Sequence, residues 1–252
     1  MSAEAGRLYL ERITALQQRI LDEEAAPVDS AARRIAERIR ADRLIHVYGP
    51  GGHSNLASQE VFFRAGGLMH VSAILDEGTL LSSGALRSMA IERTPGYGRI
   101  VIDDQGLVEG DLLLLVNAYG INAALIDAAL RAREIGVEVI GISSREHGEG
   151  TAADHPARHP SGRSLHEVTD LHIDSKVPIG DAVMQIAGAP ERTGAVSTFA
   201  SAFVLNWIMM SALEMLSADG AEVPMWRSGN APGGDEANAR FIDSFRGRVR
   251  HL

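Results

Sequence analysis

Apolar residues along the chain follow two periods. In "LIHVYG" (44–49), "HVSAIL" (70–75), "DLLLLVNAY" (111–119), "VEVIGISS" (137–144) and "LHIDSK" (171–176) they form short dense runs, with the length and composition of β-strands. The third run is apolar almost throughout, as expected of a strand covered on both faces. Between the runs the spacing changes to that of helices, over residues 55–65, over 121–135 and in a piece after Ser82. Strands alternating with helices predict right-handed βαβ crossovers and a parallel sheet.

Helical periodicity also dominates both ends. Ile13, Leu16 and Ile20 mark an amphipathic helix over about 3–24,. Pro27 is expected to break it, and Asp29 or Ser30 to cap a second helix ending near Asp42,. This pair, residues 1–43, is expected to pack on the core or on a partner subunit, and residues 44–252 form the main domain. Residues 197–216 read as a long helix apolar on most faces, central to a core or to an oligomer interface,. Asp235 is expected to cap a last helix running to about Arg250,.

Composition narrows the function classes. At 252 residues, 45% hydrophobic and 23% charged, the chain fits one large domain with a sizeable core. A net charge of −9 argues against a broad footprint for nucleic acid or an anionic membrane, although local backbone dipoles can still hold a small anion. The absence of cysteine removes disulfides, thiolate metal sites and cysteine nucleophiles. The first 20 residues have no secretory apolar region,. No apolar run is expected to reach the roughly 20 residues of a membrane span, so a cytoplasmic location is expected.

Ligands of open parallel sheets bind beyond the carboxyl ends of strands where strand order reverses. Two loops have that position. "GPGGHSN" follows the first strand and "NAYGIN" the third. Gly49, Gly51 and Gly52 permit positive φ and close backbone approach, and Ser54 and Asn55 add side-chain donors beside His53 at the start of the next helix. The turn is either a plain bend or a cradle for an anion or polyol. It matches neither the Walker loop nor the GxGxxG fingerprint. In the second loop Asn122 can cap the following helix, while Asn117 and Tyr119 offer an amide and an aromatic face. Glu60 and Glu92 are candidate general bases, with surface ion pairs as the alternative. Residues 144–170 are rich in Gly, Pro and His and read as a long loop,. His155 and His159 have metal spacing only on a helix, which Pro156 and Pro160 disfavour, so no metal is expected. His159 is instead the candidate for proton transfer, with Arg163 as an oxyanion partner.

"GPGGHSNLASQEVFFRAGGL", "GDLLLLVNAYGIN", "ARHPSGRSLHEVTDLHID" and "PIGDA" together resemble the SIS (sugar isomerase) domain family, in particular a bacterial branch with GHS, RAGGL, RHxSG and GDA signatures. The resemblance runs from about Leu44 to the final helix. It implies an α/β fold: a flavodoxin-like five-stranded parallel sheet in a three-layer α-β-α sandwich, with extra N- and C-terminal helices. It also implies binding of a sugar or sugar phosphate and a homodimer or homotetramer, and its members include aldose–ketose isomerases, a lyase and phosphosugar sensors. The enediol chemistry of such enzymes needs no cofactor. Carried over, the resemblance makes Glu60 or Glu92 the base at carbon, gives His159 proton shuttling between oxygens, and adds Asp181 of "GDA" to the binding set. The family's third-strand loop commonly reads Ser-x-Ser-Gly-x-Thr or Ser-x-Ser-Gly-x-Asn, whose serines hold phosphate. Here Asn117 and Tyr119 replace both serines. Either the sugar is unphosphorylated, or its phosphate rests on Ser54, the Gly51–Gly52 amides and Ser143 or Ser144.

Overall fold

A computed structural model describes residues 2–220 and 222–252. The five apolar runs are strands β1 (Ile45–Tyr48), β2 (Val71–Ile74), β3 (Leu112–Val116), β4 (Glu138–Ser143) and β5 (Leu171–Asp174). They form one parallel sheet in the order β2-β1-β3-β4-β5, the flavodoxin-like arrangement. Strand order reverses between β1 and β3, whose registers align Val47 with Leu114.

The period-two pattern of β3 explains the layers. Leu112, Leu114 and Val116 face a core shared with α1 (Ser2–Glu23), α2 (Ala25–Arg40), α3 (Ser54–Val61) and α9 (Ser197–Ala218). Leu113 and Leu115 face the opposite core, built with α5 (Tyr97–Gln105), α6 (Ala123–Glu134) and α8 (Leu165–Val168). All five β3 side chains are fully buried, and each contributes about 1.5–3 kcal/mol as an upper estimate. The remaining elements are α4 (Ala85–Glu92), α7 (Arg145–Gly150), the antiparallel hairpin β6 (Ala182–Met184) and β7 (Thr193–Ala195), and α10 (Gly234–Phe245).

The N-terminal helices pack on this core. Val28, Ala31, Ala32 and Ile35 of α2 are fully buried in the core shared with α9. Arg34 and Arg38 both pair with Glu138 on β4. Lys176 holds Glu23, Glu24 and Asp174 at 3.0, 2.6 and 3.1 Å, tying the α1–α2 junction to the end of β5.

Several local expectations are corrected. Pro27 lies inside the first turn of α2, which starts at Ala25 without an Asp29 or Ser30 cap. A proline is tolerated there because its missing N–H would have had no partner. α3 ends at Val61, short of residue 65. Tertiary pairing overrides helical spacing here, as Phe63 adopts φ +50° and the next residues hydrogen-bond to 224–226, with Met69 N–H on Pro224 O at 3.0 Å. α10 stops at Phe245, where the chain turns so that Phe245 and Val249 pack on Met69 and Trp226. α9 corrects the expectation about apolar runs, since its 22 residues are long and apolar enough to cross a membrane. Ala200, Val204, Leu205, Ile208 and Ala212 are fully buried in the core shared with α1, α2 and α3, so one face of this helix serves internal packing, while Phe199 and Met210 are exposed.

Candidate functional site

The loops leaving β1 and β3 face each other across the reversal point and line a cavity of about 350 Å³. Asn117 joins them. Its Nδ2 donates to Pro50 O at 3.1 Å and to Ser54 Oγ at 3.3 Å. Its Oδ1 accepts from the backbone N–H of Tyr119 at 3.0 Å and of Gly120 at 2.9 Å. Those two backbone donors fix which way the amide points. Gly120 takes φ +71° against Ser143, so the loop turns where a side chain would collide with β4.

Glu92, the last residue of α4, reaches the glycine turn. Gly51 has φ +123°, and a Cβ there would lie 2.5 Å from Glu92 Oε2 and 3.6 Å from Asn117 Nδ2. The carboxylate therefore lies against the bare face of Gly51. Burial raises its pKa to about 7, against the lowering pull of Arg93,. Leu81, Ala85 and Met89 supply an apolar wall beside it.

The opposite wall comes from Asp181, Ala195, Ser197 and Thr198. Asp181, at φ +65°, accepts at Oδ1 from Val196 N–H at 2.9 Å and Ser197 N–H at 2.7 Å, and at Oδ2 from Ser197 Oγ at 2.7 Å. Its carboxylate thus caps α9 from a distant loop. Tyr119 lines the cavity and stacks on His147 with centroids 3.8 Å apart. Burial raises the Tyr119 pKa, helped by Asp181 and Glu92. Burial lowers that of His147, followed by the nearby His155 and Arg158.

The structure thus brings together Gly51, Gly52, His53, Ser54, Glu92, Asn117, Tyr119, Asn122 and Asp181. Asn55 sits behind them, fully buried, donating to Gly51 O at 2.9 Å and Thr79 O at 3.1 Å. It holds the turn and does not line the cavity. Ser143 and Ser144 are likewise withdrawn. Ser143 Oγ meets His172 Nε2 at 3.0 Å, and burial lowers the His172 pKa to about 3. Ser144 Oγ donates to Val177 O at 2.6 Å and caps α7.

Three residues expected at the site lie elsewhere. Glu60 is 3.4 Å from Arg64, one turn along, and lines a separate cleft between α3 and α9. Its place on α3 follows helical geometry, which carries that side chain away from the turn. His159 contacts Asp127 on α6 at 3.2 Å and Ser161 Oγ at 2.7 Å. Arg163 donates to Glu167 O at 2.6 Å on the surface. The last two lie in a segment tied together by Arg158, whose guanidinium donates to the carbonyls of Gly148, Thr151 and Gly162 and to Ser164 Oγ. Arg158 folds residues 144–170 into α7, turns and α8 where a long structureless loop is expected. Sequence reasoning missed the cavity roles of Ser197 and Thr198 and the His147 stack. It had no signal for them, because they meet the cavity only through tertiary packing.

Comparison with known proteins agrees with this architecture. The SIS domain family model matches residues 8–144, beginning inside α1. The chain is 34% identical to the UPF0309 protein of Halalkalibacterium halodurans over 96% of this chain and 94% of that one. It is 35% identical to a UPF0309 protein of Brucella canis over 97% of each. Among solved structures, phosphoheptose isomerase from Neisseria gonorrhoeae superposes with a TM-score of 0.54 at 16% identity, covering 86% of this chain and all of that one. The NanR protein of Vibrio vulnificus, complexed with ManNAc-6P, gives 0.51 at 12% identity over 98% of this chain and 70% of that one. With a matching sheet order, a family model over more than half its length and relatives aligned almost end to end, the chain belongs to the SIS domain family.

Proposed function

We propose that the cavity binds a sugar and that the protein is an aldose–ketose isomerase with Glu92 as its base. The observation that carries this is the Glu92 carboxylate, set against Gly51 inside the cavity and raised to about 7 by burial. A base with that affinity is suited to taking and returning a proton near neutral pH. In this reaction Glu92 removes the proton from the carbon next to the carbonyl, giving an enediol. A proton, exchangeable with solvent while it rests on the carboxylate, returns to the neighbouring carbon as a hydroxyl proton moves between the two oxygens, so one C–H bond breaks, one forms, and no oxidant is consumed. Ser54 and Tyr119 supply hydroxyls for the developing oxyanion. Elimination of a substituent one carbon further along shares the first step. The structural neighbours, a phosphoheptose isomerase and the NanR protein in complex with ManNAc-6P, support a sugar as the ligand class.

A second function, sugar sensing without turnover, is favoured by the position of His159. With that imidazole on Asp127, proton movement between oxygens falls to hydroxyls and water. Incubation of paired aldoses and ketoses in deuterated water separates the two. Deuterium appearing at carbon, and lost in Glu92→Gln by a factor of about 10²–10⁴, is the isomerase result. A melting temperature raised by sugar without any deuterium uptake is the sensor result.

A further inference from the structure

We infer that the sugar taken by this cavity is uncharged and carries no phosphate, an inference that rests on the sugar-binding proposal above. Three places on the cavity wall have backbone that cradles anions: the positive-φ turn at Gly51, the loop amides after β3, and the amino end of α9. The chain meets each with an oxygen of its own. At the turn, Glu92 Oε2 lies against the Gly51 Cα, where an added Cβ would be 2.5 Å away. After β3, Asn117 Oδ1 takes the amides of residues 119 and 120 at 3.0 and 2.9 Å. At α9, Asp181 takes two backbone amides and the Ser197 hydroxyl at 2.7–2.9 Å.

Charge points the same way. Among the described residues, no lysine or arginine lines the cavity, and its charged groups are Glu92 and Asp181, with exposed His53 at the rim. Arg93 turns its Nε into the protein, where it has no partner among the described residues. A phosphate dianion would meet two carboxylates, one of them at the Gly51 turn, and after β3 and at α9 it would meet amides already occupied. A neutral sugar meets what it needs: carboxylate oxygens that accept hydroxyl protons, and an aromatic face at Tyr119. Repulsion between unit charges a few ångströms apart at a protein surface corresponds to roughly tenfold or more in affinity.

The test is calorimetric titration of the full chain at about pH 8, where Glu92 is ionised. The probes are common pentoses and hexoses, each paired with its terminal phosphate ester at matched ionic strength, and inorganic phosphate alone. The expected result is at least one free sugar binding about tenfold or more tighter than its ester, with no heat from inorganic phosphate. In Glu92→Gln, which keeps the side chain's shape, the preference for the free sugar should shrink several-fold. An ester that binds as tightly as its free sugar, or tighter, overturns the inference while leaving the sugar site standing, and so does an unchanged preference in Glu92→Gln. Binding by neither form overturns both.

Discussion

Glu92→Gln should stabilise the protein while disabling it, and the pH dependence of that gain is the sharpest test of the site. Burial moves the Glu92 carboxyl from an ordinary 4.5 to about 7. Below the lower value the group is protonated in both folded and unfolded chains and costs nothing. As pH rises from the lower value to the upper, the unfolded chain releases its proton and the folded chain retains it. Folding stability therefore falls across this window and stays reduced above it. Taken whole, the shift corresponds to about 3 kcal/mol, and water entering at the cavity mouth reduces it to roughly half. Glutamine keeps the shape and never ionises. It should raise the melting temperature by about 3–6 °C near pH 8, at a few degrees per kcal/mol for a chain of this size, and leave it unchanged near pH 4. Differential scanning calorimetry of both proteins across this range measures the effect. An equal change at the two ends, or a loss of stability near pH 8, would show that the carboxylate is not held against its preference for water.

Three further outcomes follow from the same contacts. Asp181→Ala removes the cap of α9 and leaves two backbone amides and the Ser197 hydroxyl unmet, which should lower unfolding stability by about 2–3 kcal/mol in a urea titration. Lys176→Met leaves Glu24 and Asp174 facing each other without their cation and should cost about 2–4 kcal/mol near neutral pH. Hydrogen bonds from Arg145 and Lys176 hold Asp174 below the usual carboxylate range despite burial. The stability this adds is present above the ordinary Asp pKa and lost as pH falls through the folded one, so the Lys176→Met penalty should shrink in acid. His159→Ala should lower stability by about 1 kcal/mol through its lost Asp127 and Ser161 contacts, yet leave ligand affinity in a thermal-shift titration within a factor of about three. A tenfold loss of affinity would place the imidazole at the ligand after all.

The sheet was legible because its evidence is local. The unbroken apolar run of β3 and the change from dense runs to helical spacing each lie within a few residues, and strand order reverses between the two loops that the sequence singles out. The site was legible only in part, for a physical reason. Gly51, Ser54, Asn117 and Tyr119 lie at strand ends, where topology alone puts them together. Which glutamate joins them depends on how α4 docks, and the spacing of Glu92 in the sequence carries no trace of that docking. The histidine segment misled for a related reason. Glycine, proline and histidine suggest a mobile loop, but the neighbouring Arg158 satisfies carbonyls at Gly148, Thr151 and Gly162, and that closure carries His159 onto α6. α5 and the β6–β7 hairpin have short patterns that identify neither element alone.

Asn117 links the loop after β3 to the character of the ligand. Its carboxamide oxygen is committed to two backbone N–H groups, so its nitrogen must face Pro50 and Ser54. Ser54 Oγ therefore accepts a proton from within the protein, and its own proton is free to point into the cavity. Across from it, Asp181 and Glu92 present oxygens that only accept when ionised. The wall thus offers donation at Ser54 and acceptance at the two carboxylates. A sugar hydroxyl carries both a proton and lone pairs and can satisfy both sides at once. A phosphate dianion satisfies only the donor side, and its contact with the carboxylates is repulsive. Asn117 therefore does more than end β3. It closes the loop on itself, orients the hydroxyl on the opposite loop, and leaves a site whose hydrogen-bond polarity matches a polyol.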